Sequence, residues 1–290
     1  MPGLRGLRAT LLLLACALAA LPCAADAWGF TGHRIVAEMA YARLSENAKQ
    51  GVRFILGLET LSRISTWPDE IRSDEDERYR RTFAWHYIDI PDGETSATAA
   101  RSPNGDALLA LQAMEKVLRS RFADPAQKRD ALSFVVHILA DIRQPLHVGN
   151  PRDRGCNACM VLWFGERTNL HAVWDAGLVD RLQLSYSEYA RSLLQGMTED
   201  QARAWATGNY EDWIAESQAY RRKVYPAPVR SAQSGAAVPY CASDSEQMID
   251  DQARPSLGFE YLHRQRPLLD QRLRQAGVRL ALTLERIFRR

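Results

Sequence analysis

The hydrophobic pattern is strongest in Ser133-Phe-Val-Val-His137-Ile-Leu-Ala-Asp141-Ile-Arg-Gln-Pro-Leu-His147-Val-Gly149, an apolar run broken by His137 and Asp141. Four residues apart on a helix, these two lie roughly 40° apart around the axis and share a face. An imidazole and a carboxylate on an apolar face are costly unless something satisfies them. They either pair with each other or hold a metal ion, for which neutral His and ionised Asp are both suited.

Around this stretch the pattern predicts mostly helix. Periodic segments run over 33–44 and 46–56, the second with Ser45 as N-cap, and Thr66-Trp-Pro-Asp69 reads as a short helix start with Pro68 in its first turn. The aromatic segment 83–91 reads as extended and 93–104 as loop. Long helices follow over 106–122 and 125–142, the latter started by Asp124 and Pro125. Residues 149–168 form a loop with one hairpin, 160–167, turning near Gly165. Asn169-Leu-His171-Ala-Val-Trp-Asp175 resumes a helix and repeats the His-x-x-x-Asp spacing. Further helices are predicted near 187–196, 199–206, 209–224 and 258–289, the last interrupted around Pro267 and Gly277. No period of 20 to 50 residues appears, which argues against a solenoid. The expected fold is all-α, one mostly helical domain over 28–290 with a small hairpin.

The amino terminus departs from that pattern. Arg5 and Arg8 precede a run without charge over 9–21, and Ala25-Asp26-Ala27 follows as a small-residue cleavage signal. Residues 1–27 therefore read as a signal peptide cut before Trp28, its apolar run too short to span a bilayer comfortably. A lipoprotein signal at Cys23 fits less well, since Pro22 stands where a small residue is expected. The mature chain would be periplasmic or secreted, with no membrane association after processing.

Export changes the reading of the cysteines. Cys16 and Cys23 leave with the leader, and Cys156, Cys159 and Cys241 remain. In an oxidising compartment a disulfide is favoured over thiol-redox chemistry, and no second C-x-x-C is present to build a zinc knuckle. Which two pair is open. The net charge of the whole chain is +2, and cleavage leaves +1, so bulk charge does not collect polyanions. Any phosphate affinity has to come from a local site.

Of the six histidines, His33, His86, His137, His147 and His171 lie beside an aspartate or at the start of a segment. With Asp69, Asp141 and Asp175 they are hard to explain as independent buried pairs. A Trp start with His five residues on, W-P-D, H-Y-I-D, H-x-x-x-D-x-x-Q-P-x-H and N-L-H-x-x-W-D together resemble the three-zinc, single-strand-specific nucleases of fungi, plants and bacteria, the S-one/P-one family. The resemblance covers Trp28 through Asp175, and the helical remainder is compatible with it.

Position by position, the resemblance implies three Zn2+ ions. One would be held by Asp69, His86, His137 and one oxygen of Asp141. A second would take the amino nitrogen and carbonyl oxygen of Trp28, with His33 and the other oxygen of Asp141. The third would take His147, His171 and Asp175. It further implies hydrolysis of single-stranded DNA and RNA to 5′-phosphate products, with 3′-nucleotidase activity on mononucleotides. Asp69 and Asp141 stand at the catalytic pair, and charge on the leaving 3′ oxygen is neutralised at the third zinc. Tyr87 occupies the position of a base-stacking aromatic, and Asp89 either contacts substrate or orients a ligand. An α-amino ligand requires that the leader be gone.

Other residues read less sharply. Trp67, Trp85 and Trp174 are expected to pack around the ligands. Arg143, Arg152, Arg154, Arg167 and the run Arg221-Arg222-Lys223 either steer phosphates or are solvated surface charge. Ala176 stands where a polar, base-contacting residue is expected in some fungal members, which leaves base preference open. Two alternatives share the ligand types: a zinc-dependent phospholipase C, and a non-catalytic exported zinc-binding protein. Against the first stands Asp175, where Glu is expected, and against the second the three-ligand third shell, which leaves an open position. No protein partner is expected.

Overall fold

The computed structural model describes residues 28–241 and 254–289, so the leader predicted over 1–27 lies outside the described residues. Helices begin where a side chain meets the free N–H groups of the first turn. Ser45 Oγ accepts from Ala48 N and opens Glu46–Leu56. Asp106 accepts from Leu108 and Leu109 N and opens Ala107–Arg119. Asp124 and Gln127 form a reciprocal capping box ahead of Pro125–Asp141, with Pro125 in the first turn, where its missing N–H costs nothing. Ser185, Thr198 and Asn209 do the same for Tyr186–Gln195, Glu199–Trp205 and Tyr210–Val224.

Pro125–Asp141 is the central helix. Every residue from Ala131 to Asp141 is buried, as expected of a helix that is apolar nearly all round. The first helix, Gly29–Arg43, the helix Ala107–Arg119 and the last helix, Phe259–Phe288, pack against it. His137 and Asp141 therefore face the interior.

Three local expectations are corrected. The last helix is continuous through Pro267 and Gly277. Pro267 and His263, whose carbonyl a proline four residues on leaves unbonded, are both on the exposed face, where water can satisfy that group. Gly277 is a close approach, since a Cβ there would meet the Met39 Cβ at 2.7 Å. The segment expected to be extended over 83–91 is a 3-10 helix over Arg81–His86 and extended only afterwards. The tight turn sends Trp85 against Phe134 and His86 inward. Finally, the helix of His171 is one α-turn, Leu170–Ala172, that widens into a π-turn over Val173–Gly177.

The hairpin is present as Met160–Trp163 paired antiparallel with Glu166–Asn169. Its first strand also pairs in parallel with Ser256–Leu257, too short a segment to carry a pattern. Cys159 and Cys241 form the disulfide, and Cys156 is a buried free thiol.

Candidate metal centre

Six segments deliver the site. The first helix carries His33, the turn Trp67–Glu70 carries Asp69, the 3-10 helix ends in His86, and the central helix contributes His137 and Asp141. Just past His86 the chain lies along the segment after the central helix, with Ile88 N donating to His147 O at 2.8 Å and Ile90 N to Gly149 O at 2.9 Å. That ladder sets His147 beside His86. The π-turn adds an extra residue per turn and so brings Asp175 nearly above His171, with His171 Nε2 3.1 Å from Asp175 Oδ2.

The carboxylate of Asp141 stands between two groups. Its Oδ1 is 3.2 Å from His33 Nε2, and its Oδ2 is 3.2 Å from His137 Nε2 and 3.4 Å from His86 Nδ1. Asp69 Oδ1 is 3.5 Å from His86 Nδ1 and 3.6 Å from His137 Nε2. The third group has His147 Nε2 3.3 Å from Asp175 Oδ1. Ligand atoms of His33, His137 and Asp141, of Asp69, His86 and His137, and of His147, His171 and Asp175 cluster closely enough for each trio to hold one ion.

Backbone carbonyls set the ring orientations. His137 Nδ1 donates to Ser65 O at 2.7 Å, His147 Nδ1 to His86 O at 2.7 Å and His171 Nδ1 to Gly155 O at 2.6 Å. With the proton held there, each Nε2 presents its lone pair to the centre. His137 Nε2 then faces His86 Nδ1 at 2.8 Å. Both oxygens of Asp141, both ring nitrogens of His33, Asp69 Oδ2 and Asp175 Oδ2 are buried without a hydrogen-bond partner. So many orphaned acceptors in one place would be expensive in a protein interior, and a divalent cation satisfies them together. The donor set of imidazole nitrogens and carboxylate oxygens fits such ions.

The electrostatics agree. Burial works to lower His137 and His147, yet Asp141, with Asp69 for His137 and Asp175 for His147, raises each to about 9. Burial lowers His33 and His86. Burial would push the Asp141 carboxyl up, but His137, His33 and His147 hold it well below the usual range. The carboxylates thus remain anionic and attract cations, and a metal ion displaces the imidazole protons as it binds.

A family model described as S1/P1 Nuclease matches residues 28–289. The chain belongs to this family. Among curated S1/P1-type relatives, Endonuclease 3 of Arabidopsis thaliana is 30% identical over 274 residues, covering 90% of this chain and 89% of the relative. Nuclease S1 of Aspergillus oryzae is 25% identical over 267 residues, covering 90% and 91%. Nuclease P1 of Penicillium citrinum is 28% identical over 200 residues, covering 64% and 72%. As an S1/P1 nuclease the chain is a hydrolase of nucleic-acid phosphodiester bonds.

The buried side chains expected at the centre of this nuclease do converge: His33, Asp69, His86, His137, Asp141, His147, His171 and Asp175 are all within the cluster. Trp28 is fully buried at its edge, with its indole Nε1 donating to Ala140 O at 2.8 Å. Tyr87 and Asp89 line an adjoining cavity of about 270 Å³. Burial and Asp153 raise the Asp89 carboxyl. Trp174 is buried and bonds Tyr261, and Trp67 packs on Phe134, as expected of supporting residues.

Arg143 is not at the centre. It is fully buried on the far side, donating to Trp213 O and Gln275 and pairing with Glu216, because the turn after Asp141 points it into the helical core. Arg221 likewise is buried against Asp92, while Arg222 and Lys223 are exposed. Two contributors carried no assigned role in the sequence. Gln144, fully buried, donates Nε2 to Asp175 Oδ1 at 2.8 Å and accepts from Leu146 N. Its signal was a polar residue inside the H-x-x-x-D-x-x-Q-P-x-H motif. Arg72 lies 3.4 Å from Asp69 Oδ1 with its guanidinium over Phe83, and nothing local distinguished it.

Proposed function

We propose that the protein is an exported zinc-dependent endonuclease that cleaves single-stranded DNA and RNA to 5′-phosphate products and also removes 3′-phosphates from mononucleotides. The observation that carries this reading is the cluster of orphaned buried nitrogen and oxygen atoms around Asp141 and Asp175, in a chain of the S1/P1 nuclease family. Three zinc ions would occupy it: Asp69, His86, His137 and Asp141 for one, Trp28, His33 and Asp141 for the second, His147, His171 and Asp175 for the third. Zinc so held would supply an acidified water and offset charge on the phosphate and the leaving oxygen.

The protein's residues do the rest by placement. Asp141, with one oxygen toward His33 and the other toward His137 and His86, would serve two of the ions, and Asp69 would complete one shell. The carbonyls of Ser65, His86 and Gly155 keep the imidazoles aimed. Tyr87 offers a ring to a base, and Asp89 an acceptor for base N–H groups, in a cavity that takes one base at a time. A base enters only after leaving its stack, which costs least in a single strand and gives the preference. Export is supported by the leader pattern and by the Cys159–Cys241 disulfide, which suits an oxidising compartment.

The test uses protein beginning at Trp28. Its zinc content is measured alongside hydrolysis of single- and double-stranded DNA and of RNA, before and after chelation. Three zinc ions and chelator-sensitive, single-strand cleavage are expected. Three zinc ions with release of phosphorylated headgroups from phospholipid and no cleavage of nucleic acid would replace this reading with a phospholipase, and fewer than two ions would overturn the ligand assignment.

A further inference from the structure

We propose that a second cavity, between Glu77–Arg80, the 3-10 helix Arg81–His86, Ala107–Arg119 and the central helix, is an accessory nucleotide subsite that holds an unpaired base and phosphate of the strand being cleaved. The proposal rests on the nuclease reading above and extends it to residues outside the metal centre. The cavity has a volume of about 590 Å³.

Its walls are aromatic and its rim is cationic. Trp85 and Phe134 line it with their rings 5.0 Å apart, edge to face, and Tyr79 and Phe122 complete the aromatic lining. Phe122 is 83% exposed at the mouth, with the Arg121 guanidinium 4.8 Å over its ring. A large exposed aromatic ring beside a cavity is poorly used in water and well used against a flat partner. Lys116 also lines the cavity and has no carboxylate partner among the described residues, while Arg78 is held by Asp76. Stacking faces next to ammonium and guanidinium groups are complementary to a base and its phosphate. An apolar peptide or an acyl chain would leave those cations without use.

Polar groups suited to a base edge are also present. Asp130 and Gln127 lie on the wall formed by the central helix. Gln127 Oε1 is occupied by Asp124 N, which leaves its amide N–H groups. Burial raises the half-buried Asp130 carboxyl, and it is not neutralised by a close ion pair beyond Arg129 at 3.7 Å.

The cavity and the metal centre are built on two common elements. Arg81–His86 turns Trp85 into the cavity and His86 into the ligand cluster. On the central helix, Asp130, Phe134, His137 and Asp141 recur at spacings of three and four and so share one stripe of the helix. Asp130 and His137 are seven residues apart, roughly 10 Å along the axis.

The test reads KM for zinc-loaded protein against oligothymidylates from the dinucleotide to the decamer, in the wild type and in Phe122→Ala and Lys116→Ala. Both side chains are exposed, so folding is not at risk. In the wild type KM is expected to fall about tenfold from dinucleotide to decamer, and each variant to lose most of that ratio. In parallel, a non-hydrolysable phosphorothioate decamer carrying 4-thiothymidine is photo-crosslinked to zinc-loaded protein, with adducts expected on Phe122, a residue remote in sequence from Tyr87. An unchanged KM ratio in both variants, or crosslinks confined to residues other than Phe122, overturns the subsite. Absence of cleavage with the crosslinks present would instead overturn the nuclease reading and leave the strand-binding cavity standing.

Discussion

His33 stacks on His137, ring centroids 3.8 Å apart and planes 12° from parallel, and the two imidazoles reach opposite oxygens of Asp141. One carboxylate thereby joins an imidazole from the first helix to one from the central helix, 104 residues apart in sequence. Asp141→Asn keeps the shape and removes the second anionic oxygen. Zinc content is expected to fall from three ions toward the single one at His147, His171 and Asp175. Hydrolysis of single-stranded DNA should drop more than ~100-fold. Metal analysis showing three ions in this variant would contradict the bridging role.

Gln144 holds Asp175 without facing the other two groups. Gln144→Leu should weaken zinc binding at the His147 site by roughly 10- to 100-fold while leaving the other two ions in place, since loss of a partner to a ligating carboxylate acts locally. Zinc release during titration with a graded chelator would resolve one ion departing early. Simultaneous release of all three would contradict the assignment.

Glu216 is surrounded by three guanidinium groups, with Arg272 Nη1 and Arg279 Nη2 each at 2.7 Å and Arg143 Nη2 at 3.2 Å. Burial pushes its carboxyl up, but Arg143, Arg272 and Arg279 pull it down to about 2. A depressed folded-state pKa means stability that is full above the unfolded value, near 4.3, and lost as pH falls through about 2. Glu216→Gln should destabilise by about 3 kcal/mol at pH 7, because it strands buried arginines. Its denaturation midpoint should also vary less with pH between 4.5 and 2 than that of the wild type.

The disulfide between Cys159 and Cys241 closes a loop of 82 residues across the hairpin strand. Reduction, or a Cys159→Ser, Cys241→Ser pair, should lower the unfolding free energy by about 2–4 kcal/mol, measured by chemical denaturation. Alkylation of native protein without reductant should modify no more than Cys156, and slowly, since that thiol is buried and its pKa is pushed well up by burial.

An extra residue ahead of Trp28 should lower zinc content and activity together, because a peptide nitrogen cannot replace a terminal amine as a ligand. Full zinc occupancy in the extended protein would remove Trp28 nitrogen from the shell.

What the sequence by itself determined is what depends on near neighbours. Caps at Ser45 and Asp124, the hairpin turning at Gly165, and the paired spacings of His137 with Asp141 and His171 with Asp175 all follow from geometry within one or two turns. That His33, Asp69, His86, His137, Asp141, His147, His171 and Asp175 would be gathered was legible from the motifs they share with the family, and the structure brings them together in buried groups. Only the tertiary structure decided which segments meet: that the residues after His86 pair with those after His147, that Cys159 joins Cys241, that Arg143 turns inward to Glu216, and that Pro267 leaves the last helix whole. These outcomes rest on contacts between residues far apart in the chain, and on which face of an element water reaches. A local pattern carries neither, because the same side chain is satisfied by solvent on one face and needs a distant partner on the other.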